Sequence, residues 1–467
     1  MRVKNPLTFA KSKLQYFFSG SRIIPYGGLM IPGEMLAAIG FDKKVNASCK
    51  PSKDYLNSEI LKAMLIGILH GDADFAAIHE TDDDAEFYCQ AMRMRQMPSE
   101  ATMRQRIIEI GSSLKYVIRQ MSIDLLKTYD VEPSALENGY VPIDIDVSPF
   151  INEKCQKEGI SMTYKRKDGY APIFAYIGTE GYLLAMELRP GKQHCQSETP
   201  KFIREVIAAA RQLTDKPLLI RLDSGNDASD NIGLCMEECL RGDCVHFIIK
   251  RNLRKESPEE WLNELREVCS NVKEERDGKK EYIGQTFRNV TYQVGNDEKG
   301  KPVRRTVGIR TIYDITERTC DHDGQVYVFP KIECDMYSVN VDFPDEEIIE
   351  LYHKHGEMEQ YHSEIKTDLG AEQLPSKHFK ANELVLELVQ LAYNMLRMIG
   401  QESLGMDGLP LKRPVRRRRL LTVVMHVIMA PVLVTKHARQ TKVDLGRSNA
   451  WRGAVATIWE KFRKVLP

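Results

Sequence analysis

The stretch "VPIDIDVSPF", residues 141–150, decides the fold of this chain. From Val141 to Val147 its apolar residues occupy every second position, which is the period of a half-buried β-strand. The same period places Asp144 and Asp146 side by side on the other face of the strand. Two like charges on one strand face repel each other and do not favour folding. The stretch therefore predicts a sheet that carries a pair of carboxylates with a chemical role.

The segments that follow alternate between strand and helix patterns. "GYAPIFAYIG" and "GYLLAMELRPG" are strand-like runs joined by the turn "TEG", and "SETPKFIREVIAAARQLT" is helical with Pro200 at its start. "KPLLIRLDSG" and "VHFIIKRN" are mostly apolar, as buried strands are, and a helical pattern separates them. An antiparallel meander followed by parallel crossovers predicts a mixed α/β layer.

These patterns divide the chain into five regions. A β-rich insertion with polar turns interrupts the α/β layer, and helical patterns occupy both ends of the chain. The regions are 1–135 (helical), 136–252 (first part of the α/β core), 253–340 (antiparallel β insertion), 341–405 (second, helical part of the core) and 406–467 (basic and helical).

The charges are balanced overall but unevenly distributed. The chain has 66 Lys and Arg against 66 Asp and Glu, so the net charge does not indicate a partner. Residues 409–467 hold fourteen basic residues against two acids, whereas residues 321–369 hold thirteen acids against three basic residues. This separation is typical of a protein with an anion-binding surface and a distinct acidic centre.

The composition disfavours two broad classes of protein. The longest apolar run, "LLTVVMHVIMAPVLV" at 420–434, is shorter than the roughly 20 residues that span a bilayer, and it predicts a buried helix that breaks near Pro431. The ten cysteines lack metal-site spacing, and the densest group, Cys235, Cys239 and Cys244, is interpreted as free thiols in a reducing cytosol. A membrane-spanning chain and a disulfide-rich secreted chain are both disfavoured.

The segment "ELYHKHGEMEQYHSEIKTDLG" carries the strongest geometric signal. If residues 345–369 form one helix, Tyr352, His355, Glu359 and Lys366 fall within an arc of roughly 60°, as one polar stripe about four turns long. Such a stripe is not an apolar core face. It predicts a functional surface.

The spacing Tyr352-x-x-His355-x-x-x-Glu359-x-x-x-x-x-x-Lys366 resembles the Y-R-E-K signature of bacterial insertion-sequence transposases of the DDE class, with His355 in the Arg position. "IDIDVS" resembles that family's first-strand aspartate followed two residues later by Ser or Thr. "RLDSGND" resembles the motif around its second aspartate, at the end of the fourth strand. The resemblance spans roughly residues 140–400 and implies a ribonuclease H-like core with a β insertion.

The resemblance also implies a metal-dependent active site. Asp146, Asp223 and Glu359 would be the catalytic carboxylates that bind two Mg²⁺ ions, for which Mn²⁺ could substitute. Asp146 is preferred as the first ligand because Asp146-Val-Ser148 matches the family's Asp-x-Ser/Thr pattern, and Asp144 is the alternative.

By the same resemblance, Tyr352, Lys366 and the residue in the Arg position contact DNA phosphate near the transposon end. That residue is His355, and a neutral His binds phosphate more weakly than a bidentate Arg, so the neighbouring Lys354 is an alternative. Lys250 and Arg251, which follow the last core strand, are further candidates for backbone contacts.

Two more elements are expected to contact DNA. The run "KRPVRRRR", residues 412–419, would neutralise phosphates through Arg416, Arg417, Arg418 and Arg419, although a solvated arm is the alternative reading. The family often uses an aromatic wedge from the insertion to hold a flipped base. Three residues are equally eligible for that role: Trp261, Phe287 and Tyr292.

The sequence therefore predicts a DNA transposase. It would cut at insertion-sequence ends and join the freed 3′-hydroxyl groups to target DNA, as a homodimer assembled on terminal inverted repeats that region 1–135 recognises. It would act in the cytoplasm, associated with the nucleoid when bound to DNA. Two alternatives remain: a catalytically silent DNA-binding protein derived from such an element, and a ribonuclease H-like nuclease that cuts without joining strands.

Overall fold

The computed structural model describes residues 20–50, 54–409, 415–438 and 440–465. The helices are α1 (Met30–Ala38), α2 (Phe41–Ser48), α3 (Asn57–Leu69), α4 (Ala85–Ala91), α5 (Glu100–Ile110), α6 (Lys115–Thr128), α7 (Thr199–Ala210), α8 (Ser229–Leu240), α9 (Pro258–Leu265), α10 (Asp345–His353), α11 (Met358–Ser363), α12 (Phe379–Leu404), α13 (Leu420–Val423) and α14 (Arg452–Arg463). The strands are β1 (Arg22–Ile24), β2 (Val141–Val147), β3 (Phe150–Ile151), β4 (Ser161–Met162), β5 (Asp168–Tyr170), β6 (Ile173–Ile177), β7 (Tyr182–Glu187), β8 (Leu218–Leu222), β9 (Val245–Lys250), β10 (Asn271–Arg276), β11 (Lys279–Asn296), β12 (Pro302–Cys320), β13 (Val326–Val339), β14 (Val432–His437) and β15 (Gln440–Asp444).

A nine-stranded mixed sheet is the centre of the fold. Its strand order is β10-β11-β12-β13-β9-β8-β2-β6-β7. β2 pairs in parallel with β8, and β8 pairs in parallel with β9, whereas β2, β6 and β7 form an antiparallel meander. The prediction of a mixed α/β sheet flanked by helices is confirmed.

Strand β2 lies inside this sheet, between β8 and β6. Val141, Ile143 and Ile145 of β2 are completely buried, because they pack under helices while β6 and β8 satisfy the strand's backbone on both sides. The polar face of β2 is covered as well, and only Asp146 on the strand retains partial exposure. Burial on both faces explains why two aspartates here require specific partners.

The β insertion extends the core sheet. β13 pairs with β9 from Tyr337 to Val339, so the antiparallel strands β10–β13 continue the same sheet outward. Helix α9 packs over them through Leu262 and Leu265. The insertion is therefore held to the core by backbone hydrogen bonds as well as by side-chain packing.

Helix α12 joins the N-terminal region to the sheet. It is buried along nearly its whole length and contacts α3 and α6 on one side and β7 on the other. Its Glu387 forms a buried ion pair with Arg119 of α6, at 2.5 Å between Nη2 and Oε1, and Arg119 also donates to the carbonyl of Met186. The N-terminal helices thus pack on the core through a shared buried charge pair.

The two ends of the chain meet in a three-stranded sheet of order β1-β14-β15. This corrects the prediction that both terminal regions are entirely helical. After Pro431 ends the preceding helix, the β-branched run "VLVT" follows, and Val432, Leu433 and Val434 pair with β1. A local sequence pattern could not indicate a pairing between segments about 400 residues apart.

The predicted single helix over 345–369 is also corrected. The chain forms α10, a 3₁₀ turn at Lys354–Glu357, α11, and a π-helical turn at Glu364–Asp368. The 3₁₀ turn contains Gly356, and a mid-helix glycine costs about 1 kcal/mol relative to alanine. The break changes the direction of every side chain that follows it.

Within the described ranges, no helix combines the length and the hydropathy that crossing a bilayer requires.

We predict that Glu387→Ala lowers the free energy of unfolding by about 3 kcal/mol, because it removes the buried carboxylate that pairs with Arg119 and leaves that cation only the partly exposed Glu205. Glu402 lies on α12 like Glu387 and forms an exposed ion pair with Lys461 of α14. Glu402→Ala is therefore the matched control and should cost less than about 1 kcal/mol. Thermal melting of both variants checks the difference. Equal shifts would contradict a structural role for the buried pair.

Candidate active site

Asp146 and Asp223 line one cleft at an edge of the sheet. Asp146 lies near the end of β2, and Asp223 directly follows β8, so the parallel pairing of these strands brings the two residues to the same edge. The cleft has a volume of about 610 Å³. Burial raises the pKa of Asp223, and the neighbouring Asp146 carboxylate raises it further. The two carboxylates therefore repel each other in the absence of a cation.

Asp144 has a different environment although it shares the strand face with Asp146. Arg221 of β8 donates two hydrogen bonds of 2.7 Å to its two carboxylate oxygens, and His355 Nδ1 lies 2.7 Å from Oδ1. Burial acts to raise the pKa of Asp144, but the charge of Arg221 and the bond to His355 outweigh it and lower the pKa. Asp144 is thus fully engaged within the protein.

Arg221 also fixes the helix that follows the insertion. Its Nη1 donates a 2.7 Å hydrogen bond to the carbonyl of Leu351 in α10. The side chains of Asp144, Arg221 and His355 therefore form one buried network that joins β2, β8 and the α10–α11 connection; we call it the Asp144 network. Arg221 was missed by sequence reasoning, although its position two residues before Asp223 places both on one strand face.

His355 is buried and does not face solvent. The structure places this predicted DNA contact in the Asp144 network, where its Nδ1 is bonded and no hydrogen-bond partner for its Nε2 lies within the described residues. An arginine here would bring a second cation against Arg221.

His362 is a second buried histidine at the cleft, and sequence reasoning missed it. Its Nε2 lies 3.6 Å from Asp146 Oδ2, and its Nδ1 is 3.1 Å from the hydroxyl of Tyr176. Its ring packs against Phe174. The signal that could have found it is its position seven residues after His355, which repeats the stripe.

The structure does not bring Glu359 together with the two aspartates. Glu359 is exposed and lines an adjacent pocket with Arg416, Arg417 and Arg419. The inward face of α11 is occupied instead by Met358, Tyr361 and His362. Among the residues that the structure describes, no group of three or more His, Cys, Asp or Glu is arranged to hold a metal ion.

Tyr352 and Lys366 both face the sheet edge. The Tyr352 ring packs on Tyr337 and His355, with ring centroids 4.7 and 5.6 Å apart, and the nearby Asp223 and Asp146 charges add to burial in raising its pKa. Lys366 Nζ donates a 2.7 Å hydrogen bond to Ser148 Oγ, so the Ser of the Asp-x-Ser pattern positions this lysine. Two ends of the predicted stripe are therefore brought to the cleft.

The two basic residues after β9 are already engaged in ion pairs. Lys250 pairs with Asp335 at 2.8 Å, and Arg251 pairs with Glu256 at 2.7 Å while its guanidinium lies over the Trp261 ring. Their predicted DNA contacts would need these pairs to open.

The arginine run divides by burial. Arg418 is buried, bonded to the Ser403 carbonyl and stacked on Trp451, and Arg419 is paired with Asp368. Arg416 is exposed, and Arg417 stacks on Tyr361 at the pocket that Glu359 lines. Residues 412–414, the start of the predicted basic run, lie outside the described residues.

The three aromatic candidates for a base wedge also differ in exposure. Phe287 is 68% exposed, whereas Tyr292 is buried and its hydroxyl donates to Glu237. Trp261 is half-buried and donates to Glu256. Of the three, Phe287 alone presents a free ring.

The donor set at the cleft suits a hard cation. Asp146 and Asp223 offer carboxylate oxygens. Burial and, after it, the Asp146 charge raise the pKa of Asp223, and a divalent ion would stabilise both carboxylates in their charged form. These two side chains would supply carboxylate oxygens to such an ion, and Glu359 lies outside the cleft.

A central mixed sheet with paired aspartates at its edge is consistent with a phosphoryl-transfer enzyme. The chain belongs to the DDE transposases: the model of the family described as "Transposase DDE domain group 1" matches residues 7–466. It is therefore an enzyme of DNA recombination that uses divalent metal ions to cleave and transfer DNA strands, and DNA is its partner.

Among solved structures, the cryo-EM structure of a piggyBac transposase synaptic complex with hairpin DNA aligns with a TM-score of 0.37 and 11% identity, over 94% of this chain and 84% of that one. No curated protein matches the sequence significantly.

We predict that Asp144→Ala destabilises the protein and that Asp146→Ala does not. Asp144→Ala leaves Arg221 buried and unpaired and should lower the free energy of unfolding by about 3–5 kcal/mol. Asp146→Ala removes one of two repelling charges and should leave the melting temperature unchanged or raise it. Thermal melting in EDTA tests this, and equal destabilisation by both would contradict the separation of roles.

Proposed function

We propose that this transposase cuts DNA at the ends of a bacterial insertion sequence of the Y-R-E-K branch and joins the freed 3′-hydroxyl ends to target DNA. The observation that carries the proposal is the Asp146–Asp223 pair, which two parallel strands bring to one cleft. The spacing of Tyr352, His355, Glu359 and Lys366 supports the branch assignment.

A ribonuclease H-like core is part of the proposal. In such a core the first aspartate lies on the first strand and the second follows the fourth. Here β2, β6, β7 and β8 are the first four core strands, with Asp146 on β2 and Asp223 after β8. Strands β10–β13 would be the insertion that the branch carries.

Asp146, Asp223 and Glu359 are proposed to hold two Mg²⁺ ions, for which Mn²⁺ can substitute. When bound, such ions supply an activated nucleophile and stabilise the leaving 3′ oxygen. Glu359 lies four residues after His355 and three before His362, and both histidines reach the aspartates of β2. The Tyr352-His355-Glu359-Lys366 spacing supports Glu359 as the third ligand, and its carboxylate, which faces the pocket of Arg416 and Arg417 in this structure, would have to turn toward the two aspartates.

The chain's own residues would orient the substrate. His362 limits the rotation of Asp146, and Ser148 holds the Lys366 ammonium beside the cleft, where it can bind a phosphate of the cleaved strand. Arg416 and Arg417, beside Glu359, lie where a second stretch of backbone could bind. Water would then attack the phosphodiester at the transposon end and break its P–O3′ bond, which releases a 3′-hydroxyl. That 3′-hydroxyl would attack a target phosphodiester and displace the target's own 3′ oxygen.

Pairing two transposon ends calls for two active sites, so we propose a homodimer on DNA, acting in the cytoplasm on the nucleoid. In the Y-R-E-K branch a hairpin usually forms at the cut end, and this step is the one most affected by His355 in the Arg position. A denaturing gel of the cleavage products would show it.

We predict that Asp146→Asn, Asp223→Asn and Glu359→Gln each reduce Mg²⁺-dependent cleavage of a terminal-repeat duplex by at least about a thousandfold, because each removes a ligand of the ions that carry the chemistry. The repeats are read from the DNA that flanks the gene. Glu357→Gln, an equally exposed acid on the same side of the chain as Glu359, is the matched control and should retain activity within about twofold.

The outcomes separate the candidate functions. Normal cleavage by Asp223→Asn would overturn the proposal. Tight binding of the ends by the wild-type protein without cleavage in Mg²⁺ or Mn²⁺ would indicate a silent DNA-binding protein. Cleavage of duplexes without terminal repeats and without strand transfer would indicate a nuclease.

A further inference from the structure

A small hairpin lines the cleft that holds Asp146 and Asp223. It consists of β4, β5 and the turn between them, and it pairs with β3. The turn is closed by Thr163, whose backbone N–H and hydroxyl donate 2.9 and 2.8 Å hydrogen bonds to the carbonyl of Lys167. Arg166 adopts a left-handed conformation, with φ of 56°, at its tip. The hairpin tip is therefore a defined shape.

The hairpin presents exposed apolar surface to the two aspartates. Met162 and Tyr164 line the same cleft as Asp146 and Asp223, yet they are 63% and 67% exposed. The Tyr164 hydroxyl lies 3.4 Å from the carbonyl oxygen of Val147, the residue after Asp146. An aromatic ring is thus held beside the carboxylates with much of its surface uncovered.

The same tip carries three consecutive cations. Lys165, Arg166 and Lys167 are exposed, and none of them forms an ion pair or a side-chain hydrogen bond within the part of the chain that the structure describes. The Lys165 ammonium lies over one face of the Tyr164 ring, 6.0 Å from its centroid. Lys192, on another wall of the cleft, is exposed and unpaired in the same sense. By contrast, Arg288 and Arg305 of the insertion are paired with acids.

The cations surround an acidic floor. Lys366 lies on the helix side of the cleft, and burial together with the charge of Lys165 lowers its pKa, so the hairpin tip is close to it. Basic side chains without acidic partners, around two carboxylates, fit an anionic ligand that contacts these side chains and also the metal ions held by the carboxylates. A nucleic-acid backbone meets both conditions.

We propose that the 163–167 turn is a strand clamp: Tyr164 stacks on the base beside the cleaved phosphodiester, while Lys165, Arg166 and Lys192 bind the phosphates of that strand. Aromatic rings among cations are the recurring platform for single-stranded DNA. Stacking on a side chain needs a free base face, so the substrate is a DNA end whose base at the cleavage site is unpaired. This inference rests on the proposed function and adds a contact outside the β insertion.

The test uses duplexes that carry the flanking terminal repeats, with 2-aminopurine at the base beside the cleaved bond. Binding is read as fluorescence in the full-length Asp223→Ala protein, so the signal does not depend on cleavage. We expect that protein to change the fluorescence, and the added Tyr164→Ala to abolish the change while Tyr164→Phe and Tyr164→Trp retain it. Tyr116→Ala, at a tyrosine that is 61% exposed beside cations on α6, is the matched control.

Cleavage is measured separately with Asp223 intact. Tyr164→Ala should slow cleavage about tenfold or more, and an abasic site at the probed position should remove the difference between it and wild type. Lys165→Ala and Arg166→Ala should each lower the slope of log affinity against log salt by about one. If the wild type cleaves, and Tyr164→Ala changes neither the cleavage rate nor the fluorescence signal of the Asp223→Ala protein, the clamp is overturned and the proposed function stands. Lack of cleavage by the wild type would count against the function alone.

Discussion

The bidentate ion pair between Arg221 and Asp144 is the interaction on which the site depends. It joins two neighbouring parallel strands side chain to side chain, and the same guanidinium reaches the backbone of α10. His355, in the turn that follows α10, contacts the same carboxylate through its Nδ1. A chain returning from an insertion of nearly ninety residues is thereby fixed against the strands that carry Asp146 and Asp223. Because the pair is fully buried, its loss would leave a charge that no solvent can reach.

This arrangement explains why the first strand carries two aspartates. One of them is neutralised by the protein and holds elements together, and the other is left beside a second carboxylate at the cleft. The uncompensated pair stores a repulsion that favours cation binding, in an enzyme whose family uses divalent metals. The site is thus prepared by placing like charges together and is kept in place by a neighbouring pair of opposite charges.

The basic residues show the same division between structure and surface. Arg418 and Arg397 are buried. Arg397 is bonded to Glu364, to Tyr393 and to the carbonyl of Arg418, and so connects the π-helical turn at Glu364–Asp368, α12 and the C-terminal segment. Arg416 stays at the surface near Glu359. A run of arginines in a sequence therefore combines side chains that support the fold with side chains that can meet DNA, and charge alone does not separate them.

The sequence by itself determined the order of strands and helices in the core, because period and turn residues are local properties of the chain. It also indicated the carboxylates and the family, through spacings that a strand or a helix preserves. Tertiary structure alone decided which aspartate is engaged by Arg221, that His355 is buried and His362 meets Asp146, and that Glu359 stands apart from both aspartates. It also decided that the C-terminal segment pairs with residues near the start of the chain. These outcomes depend on contacts between residues far apart in sequence, and on a helix broken at Gly356, neither of which is encoded in any local period.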